Sequence, residues 1–131
     1  MFGSTDMLLN VNPDQLQCAY DFICTLEPFN LWAHEENGKP FPHSDTIEFR
    51  VTGDVAYWAW KQRKPNGTFI MAYSDHAPSQ ASNLVMYMAH ELIHLYQDIN
   101  KLETRAMHNR DFHARASRVC GIHGYDYKLF I

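Results

Sequence analysis

The chain has 131 residues, 46% hydrophobic and 20% charged, with a formal net charge of −4. This balance suits a single globular domain over 1–131 with a real core, and the negative charge gives no bulk attraction to nucleic acid or to an anionic membrane. No apolar run approaches the ~20 residues that span a bilayer, and the opening Met1-Phe2-Gly3-Ser4-Thr5-Asp6 lacks the basic region and apolar run of a secretion signal.

The first helix is expected to start at Asn12, which can cap it. Pro13 suits the first helical position and Gln15 completes a capping-box spacing. Leu16, Tyr20, Ile23 and Leu26 recur at helical spacing, and Pro28 ends the pattern. Cys18 and Cys24 read as buried small apolar groups on this helix. With Cys120 they form an odd set without a C-x-x-C pair, which implies free thiols in a cytoplasmic, reducing environment. Residues 30–45 read as a loop, because Asn37-Gly38, Pro40 and Pro42 interrupt them. The His34, Glu35, Glu36 and His43 of this loop read as solvated groups rather than a second metal site.

Three strands are expected next. Ile47, Phe49 and Val51 alternate with Glu48, Arg50 and Thr52, the pattern of a half-buried strand. Gly53-Asp54 reads as a two-residue hairpin turn. Residues 55–62 are rich in strand formers, and Trp58 and Trp60 share a face as core or sheet cover. Lys64-Pro65-Asn66-Gly67 is a turn, and 68–73 is the third strand. Together these predict an antiparallel meander. Residues 75–78 break the pattern, and Ser79 is the expected cap of the helix that follows.

That helix carries His90-Glu91-Leu92-Ile93-His94 between apolar neighbours Ala89 and Leu95. Residues four apart on a helix lie about 40° apart around the axis, one turn along. His90 and His94 can therefore point two imidazoles at one metal ion. Glu91 beside them is free to hold the proton of a metal-activated water. The helix is expected to run to about Asn100. Residues 101–107 read as a short helix or a connector. His108 or Asn109 opens a further helix with a Phe112, Ala116 and Val119 stripe, and Gly121 can stop it. The tail 122–131 reads as an added strand or a clamp over the core. The fold class is thus α+β.

A catalytic zinc needs a third protein ligand and an open position. Downstream candidates are Glu103, His108, His113 and His123, and periodicity does not separate them. The stretch His108-Asn109-Arg110-Asp111-Phe112, placed fourteen residues past His94, resembles the second motif of the SprT-like metallopeptidases, a family that includes the Spartan DNA–protein crosslink proteases. Its pattern is His-Glu-x-x-His on one helix, then His-Gly-x-x-Phe opening the next; here Asn109 stands in place of Gly. Phe69-Ile70-Met71-Ala72-Tyr73-Ser74 is similar to the family's last strand before the active helix. A chain of this length resembles the bare protease domain.

The resemblance implies a zincin-like fold in which His90, His94 and His108 hold one Zn²⁺. Glu91 is then the general base and later proton donor. His123-Gly124-x-x-Tyr127 also looks like the second motif and ranks second; Glu103 ranks third. The activity implied is hydrolysis of peptide bonds in a protein or peptide substrate, with DNA-associated proteins as one class. Tyr125, Tyr127, His123 and His76 are candidates for a second oxyanion donor. The third strand, read as an exposed edge, is a place for an extended substrate to pair.

Two other readings stand beside this one. In the first, the chain is a non-catalytic binding module with a structural zinc, acting through a sheet edge or an aromatic surface. In the second, Lys101, Arg105, Arg110, Arg115 and Arg118 form a basic face that meets nucleic acid beside the site. The same five residues also read as a solvated helix face.

Overall fold

The side chain of Asn12 accepts the backbone N–H of Gln15 at 2.9 Å and Pro13 takes the first helical position, so helix α1 runs Pro13–Cys24. The structure is a computed structural model, and it describes residues 11–35, 37–77 and 81–131. Ser79, Glu36 and the first ten residues, on which expectations fell, lie outside the described residues. Leu16, Tyr20 and Ile23 of α1 are buried as their spacing requires. Cys18 is exposed rather than buried, since it lies off that stripe.

The stretch expected as a loop contains two short 3₁₀ turns, Phe29–His34 and Ser44–Thr46. Phe29 and Trp32 are buried and pack with Phe41 and Tyr96, with ring centroids 4.8–6.3 Å apart. The Tyr96 hydroxyl donates to the Trp32 carbonyl at 2.7 Å. Gly38 passes directly over this bond. A Cβ there would stand 2.6 Å from the Trp32 carbonyl oxygen and 2.9 Å from the Tyr96 hydroxyl. Gly38→Ala is therefore expected to cost about 1–3 kcal/mol, as overpacking does. Denaturant melts would show it as a lower midpoint at unchanged slope; an unchanged midpoint would contradict the close approach.

Strands β1 (Ile47–Thr52), β2 (Ala59–Arg63) and β3 (Phe69–Ser74) form one sheet in the order β1-β3-β2. β1 runs parallel to β3, from Ile47 beside Phe69 to Thr52 beside Ser74. β2 runs antiparallel to β3, from Ala59 beside Tyr73 to Arg63 beside Phe69. The sheet is mixed, which corrects the expected antiparallel meander. Burial explains it. All six residues of β3 are buried, so it takes the central place. Phe69, Met71 and Tyr73 face the core, while Ile70 and Ala72 lie between the outer strands, with Arg50 and Trp60 flanking Ala72.

Gly53-Asp54 accordingly makes no hairpin. The chain passes from β1 to the far side of β3, and Asp54 fixes that passage by accepting from the Trp60 indole N–H at 2.9 Å and the Thr52 hydroxyl at 3.3 Å. The real hairpin joins β2 and β3. There Gly67, at φ 88°, donates to the Lys64 carbonyl at 2.9 Å. The expected exposed edge is also corrected: β3 is central, and β1 and β2 are the edge strands.

Helix α2 spans Ala81–Ile99 and is buried on nearly every side from Leu92 to Gln97. It ends in a left-handed residue, Lys101 at φ 58°. The Leu102 N–H returns to the Gln97 carbonyl at 2.8 Å and that of Lys101 to Asp98 at 3.3 Å. This reversal closes the helix end and sends the chain back along α2. Residues 101–109 are a connector without a helix. Asn109 joins its two ends: the side-chain oxygen caps helix α3 (Arg110–His123) through the Phe112 N–H at 2.9 Å, and the amide donates to the Leu102 carbonyl at 3.0 Å. Gly121 does not stop α3. The helix runs on to His123, and Gly124 at φ 74° closes it. The tail then forms a short helix α4, Tyr127–Phe130, capped by Asp126, with Phe130 buried. No helix among the described residues is long and apolar enough to cross a membrane.

Candidate metal centre

The helical spacing of His90 and His94 puts both rings on one side of α2, and the Asn109 cap starts α3 with His108 leaning over them. The ring centroids form a near-equilateral triangle: 4.9 Å from His90 to His94, 5.1 Å from His90 to His108 and 5.3 Å from His94 to His108. One nitrogen from each ring lies within 4.8 Å of those of the others. Phe112 is the floor of the triangle. Its ring stacks on His108 at 4.2 Å and 6° and on His94 at 4.7 Å and 17°. A side chain four residues into a new helix turn falls beneath the residue before the cap, which gives the His-x-x-x-Phe spacing a physical content.

The donor set suits a divalent cation. Phe130 offers a carbonyl oxygen 2.7 Å from the Nδ1 of His90. A carbonyl only accepts, so Nδ1 carries the proton and Nε2 turns a lone pair inward. The Nε2 atoms of His90 and His94 are 3.2 Å apart. Two ligands of a tetrahedral zinc at ordinary bond lengths stand ~3.3 Å apart. Burial pushes His90 down to about 4, with the Phe130 carbonyl partly opposing it, and pushes His94 down to about 3, helped by the neighbouring rings. Burial also lowers His108. All three are neutral near pH 7, the form that binds a metal.

Glu91 is the fourth member. Its side chain is only 12% exposed, and one carboxylate oxygen lies 3.7 Å from the Nε2 of His90. Among the described residues, no donor is hydrogen-bonded to it. Burial pushes its carboxyl up to about 8, which Lys61 only partly opposes. A carboxylate so placed is stabilised by an added positive charge. A cation among the three imidazoles would supply one.

No protein-family profile, curated protein or solved structure matches this chain. The remaining expected site residues are therefore placed by geometry alone. Glu103 takes a bond from Lys61 at 3.3 Å. His113 is hydrogen-bonded to the Tyr127 hydroxyl, and His123 to the Glu27 carbonyl. None of the three joins the triangle. The oxyanion candidates are also elsewhere: Tyr127 and His123 are engaged as above, Tyr125 stacks on Phe130 at 5.7 Å, and His76 is exposed beside Asp75. None of them lines the cleft that opens onto the triangle.

Sequence reasoning missed three contributors. Lys61 on β2 and Tyr87, one turn before His90, both line that cleft. Tyr87 carried one signal, its place three and four residues before His90 and Glu91 on the same helix face. The Phe130 carbonyl carried none, being a backbone atom forty residues from its partner. The basic face over 101–118 loses a member as well. The Arg115 side chain is 10% exposed, paired with Glu35 and Asp111, and stacked over Trp32 and Tyr96. Its partner Glu35 is thereby removed from the imagined second metal site.

Proposed function

We propose that the chain is a zinc-dependent peptidase of the SprT-like, zincin type, with His90, His94 and His108 as ligands and Glu91 as general base. The observation that carries this reading is the triangle of three imidazoles with the largely buried carboxylate of Glu91 at its side, hydrogen-bonded to no donor among the described residues. When bound, zinc polarises a substrate carbonyl and lowers the pKa of a water toward about 7. Glu91 takes the proton of the attacking water on a carboxylate oxygen and passes it to the leaving amine nitrogen. The Phe130 carbonyl keeps the His90 proton on Nδ1 throughout. β2, an edge strand whose residues line the cleft, offers its outer side to an extended substrate.

The test joins metal content to activity. The purified protein is expected to hold zinc and to hydrolyse an unfolded protein such as reduced casein, and a chelator should stop hydrolysis until zinc is returned. His94→Ala should hold no zinc. Hydrolysis that survives both complete chelation and His94→Ala would sink the reading. A DNA-associated substrate class is checked in the same assay by adding single-stranded DNA at two salt concentrations, since phosphate contacts weaken steeply with salt.

A further inference from the structure

The cleft over the triangle has a volume of about 690 Å³. That lies within the roughly 300–1,000 Å³ of clefts that enclose a ligand of drug or short-peptide size, so it holds far more than a metal and a water. Its walls come from three separate segments: the β1–β2 passage with Tyr57 and Trp58, the connector with Met107, and the tail with Leu129 and Ile131. Five of the nine large hydrophobic side chains exposed among the described residues are these five. Tyr57 is 68% exposed, Met107 76% and Leu129 68%. Apolar side chains left in water singly are ordinary; gathered at one mouth they mark a binding surface.

Charge narrows the occupant. Outside the histidines and Glu91, the charged residues lining the cleft are Lys61 and Glu103. They are bonded to one another, and Lys61 also to Asp98 at 2.8 Å. The charged side chains of these walls are thus paired with one another or with Asp98, and the side chains around them are largely apolar. β2 is an edge strand of the sheet, and its Ala59, Trp60 and Lys61 line the same opening. An edge that pairs with extended backbone, beside apolar walls, describes a peptide with a large apolar side chain.

We propose that this cleft selects extended peptides carrying an aromatic or large aliphatic residue next to the bond placed over the triangle. The walls formed by Tyr57, Trp58, Met107 and Leu129 cover that side chain. This inference rests on the peptidase reading for what the peptide undergoes, but its binding step is separable.

The experiment uses labelled octapeptides identical except for one central residue: Phe, Ser, Asp or Lys. Fluorescence anisotropy reads their binding to the zinc-supplemented Glu91→Gln protein, which cannot turn them over. The Phe peptide is expected to bind about tenfold or more tightly than each of the others, the size of effect that burying one such side chain gives. Leu129→Asp should reduce that preference to under about threefold, and so should Met107→Asp. Both positions are exposed enough to leave the fold intact, which circular dichroism checks. Equal binding of all four peptides would overturn the proposal. So would phosphatidylcholine vesicles that bind the protein and displace the Phe peptide, or a dimer dissociated by Leu129→Asp in a protein showing no peptide preference. Casein hydrolysis by the wild type is run in parallel. Preference without hydrolysis sinks the peptidase reading alone, and hydrolysis without preference sinks this inference alone.

Discussion

Glu91→Gln is expected to lower turnover of an unfolded-protein substrate by about 10²–10⁴-fold, the usual contribution of a positioned general base, while zinc content stays at the wild-type level. The substitution is nearly isosteric, so the shape of the cleft is retained. It removes a group that takes and returns a proton, and an amide does neither at neutral pH. It leaves all three imidazoles and the Phe130 carbonyl in place, since Glu91 makes no hydrogen bond to any of them. Stability should not fall, because a carboxyl 12% exposed, and hydrogen-bonded to no donor among the described residues, is replaced by a neutral group of the same size. Steady-state kinetics with metal analysis on the same sample check this. Wild-type turnover in Glu91→Gln would show that another group takes the proton. Loss of zinc would show that Glu91 is a ligand.

What could be read from the sequence divides along local and non-local lines. The pairing of His90 with His94, and the stacking of Phe112 under His108, follow from spacing on one helix or at one helix start. Caps are local in the same sense: Asn12 acts as expected, and of His108 and Asn109 it is Asn109 that caps α3. The sheet is different, because strand order depends on which strand is covered on both faces. The signal was present in Phe69-Ile70-Met71-Ala72-Tyr73-Ser74, which is apolar without alternation and therefore suited to a central strand. Gly53-Asp54 drew attention away from it by resembling a hairpin turn. The tail was legible as an added strand or a clamp; it forms no strand but the short helix α4, with Phe130 buried. Its chemical contribution, the Phe130 carbonyl on His90, is made by a backbone atom that no side-chain pattern marks. Lys61 was invisible for another reason: its partners Asp98 and Glu103 are 37 and 42 residues away.

Phe112→Ala should produce the largest loss of stability at the site, about 3–5 kcal/mol, because a fully buried ring is removed from beneath three others. Against a total of about 5–15 kcal/mol for an ordinary domain, that is a large fraction. At roughly 3–5 °C per kcal/mol for a chain of this size, the midpoint should fall by about 10–25 °C. The consequence for metal binding is distinct. His94 and His108 lie flat against the Phe112 ring, at 17° and 6°, so its removal frees both imidazoles to rotate. Zinc would then have to order its ligands as it binds, and part of its binding free energy would go to that ordering. Val119→Ala on the same helix is the control. Val119 is equally buried but makes no ring contact with the histidines, so its loss lowers stability without loosening them. Thermal melts with and without saturating zinc separate the two effects. The zinc-induced rise in midpoint should match wild type in Val119→Ala and be clearly smaller in Phe112→Ala. An equal rise in both would mean that Phe112 fills space in the core without holding the imidazoles in position.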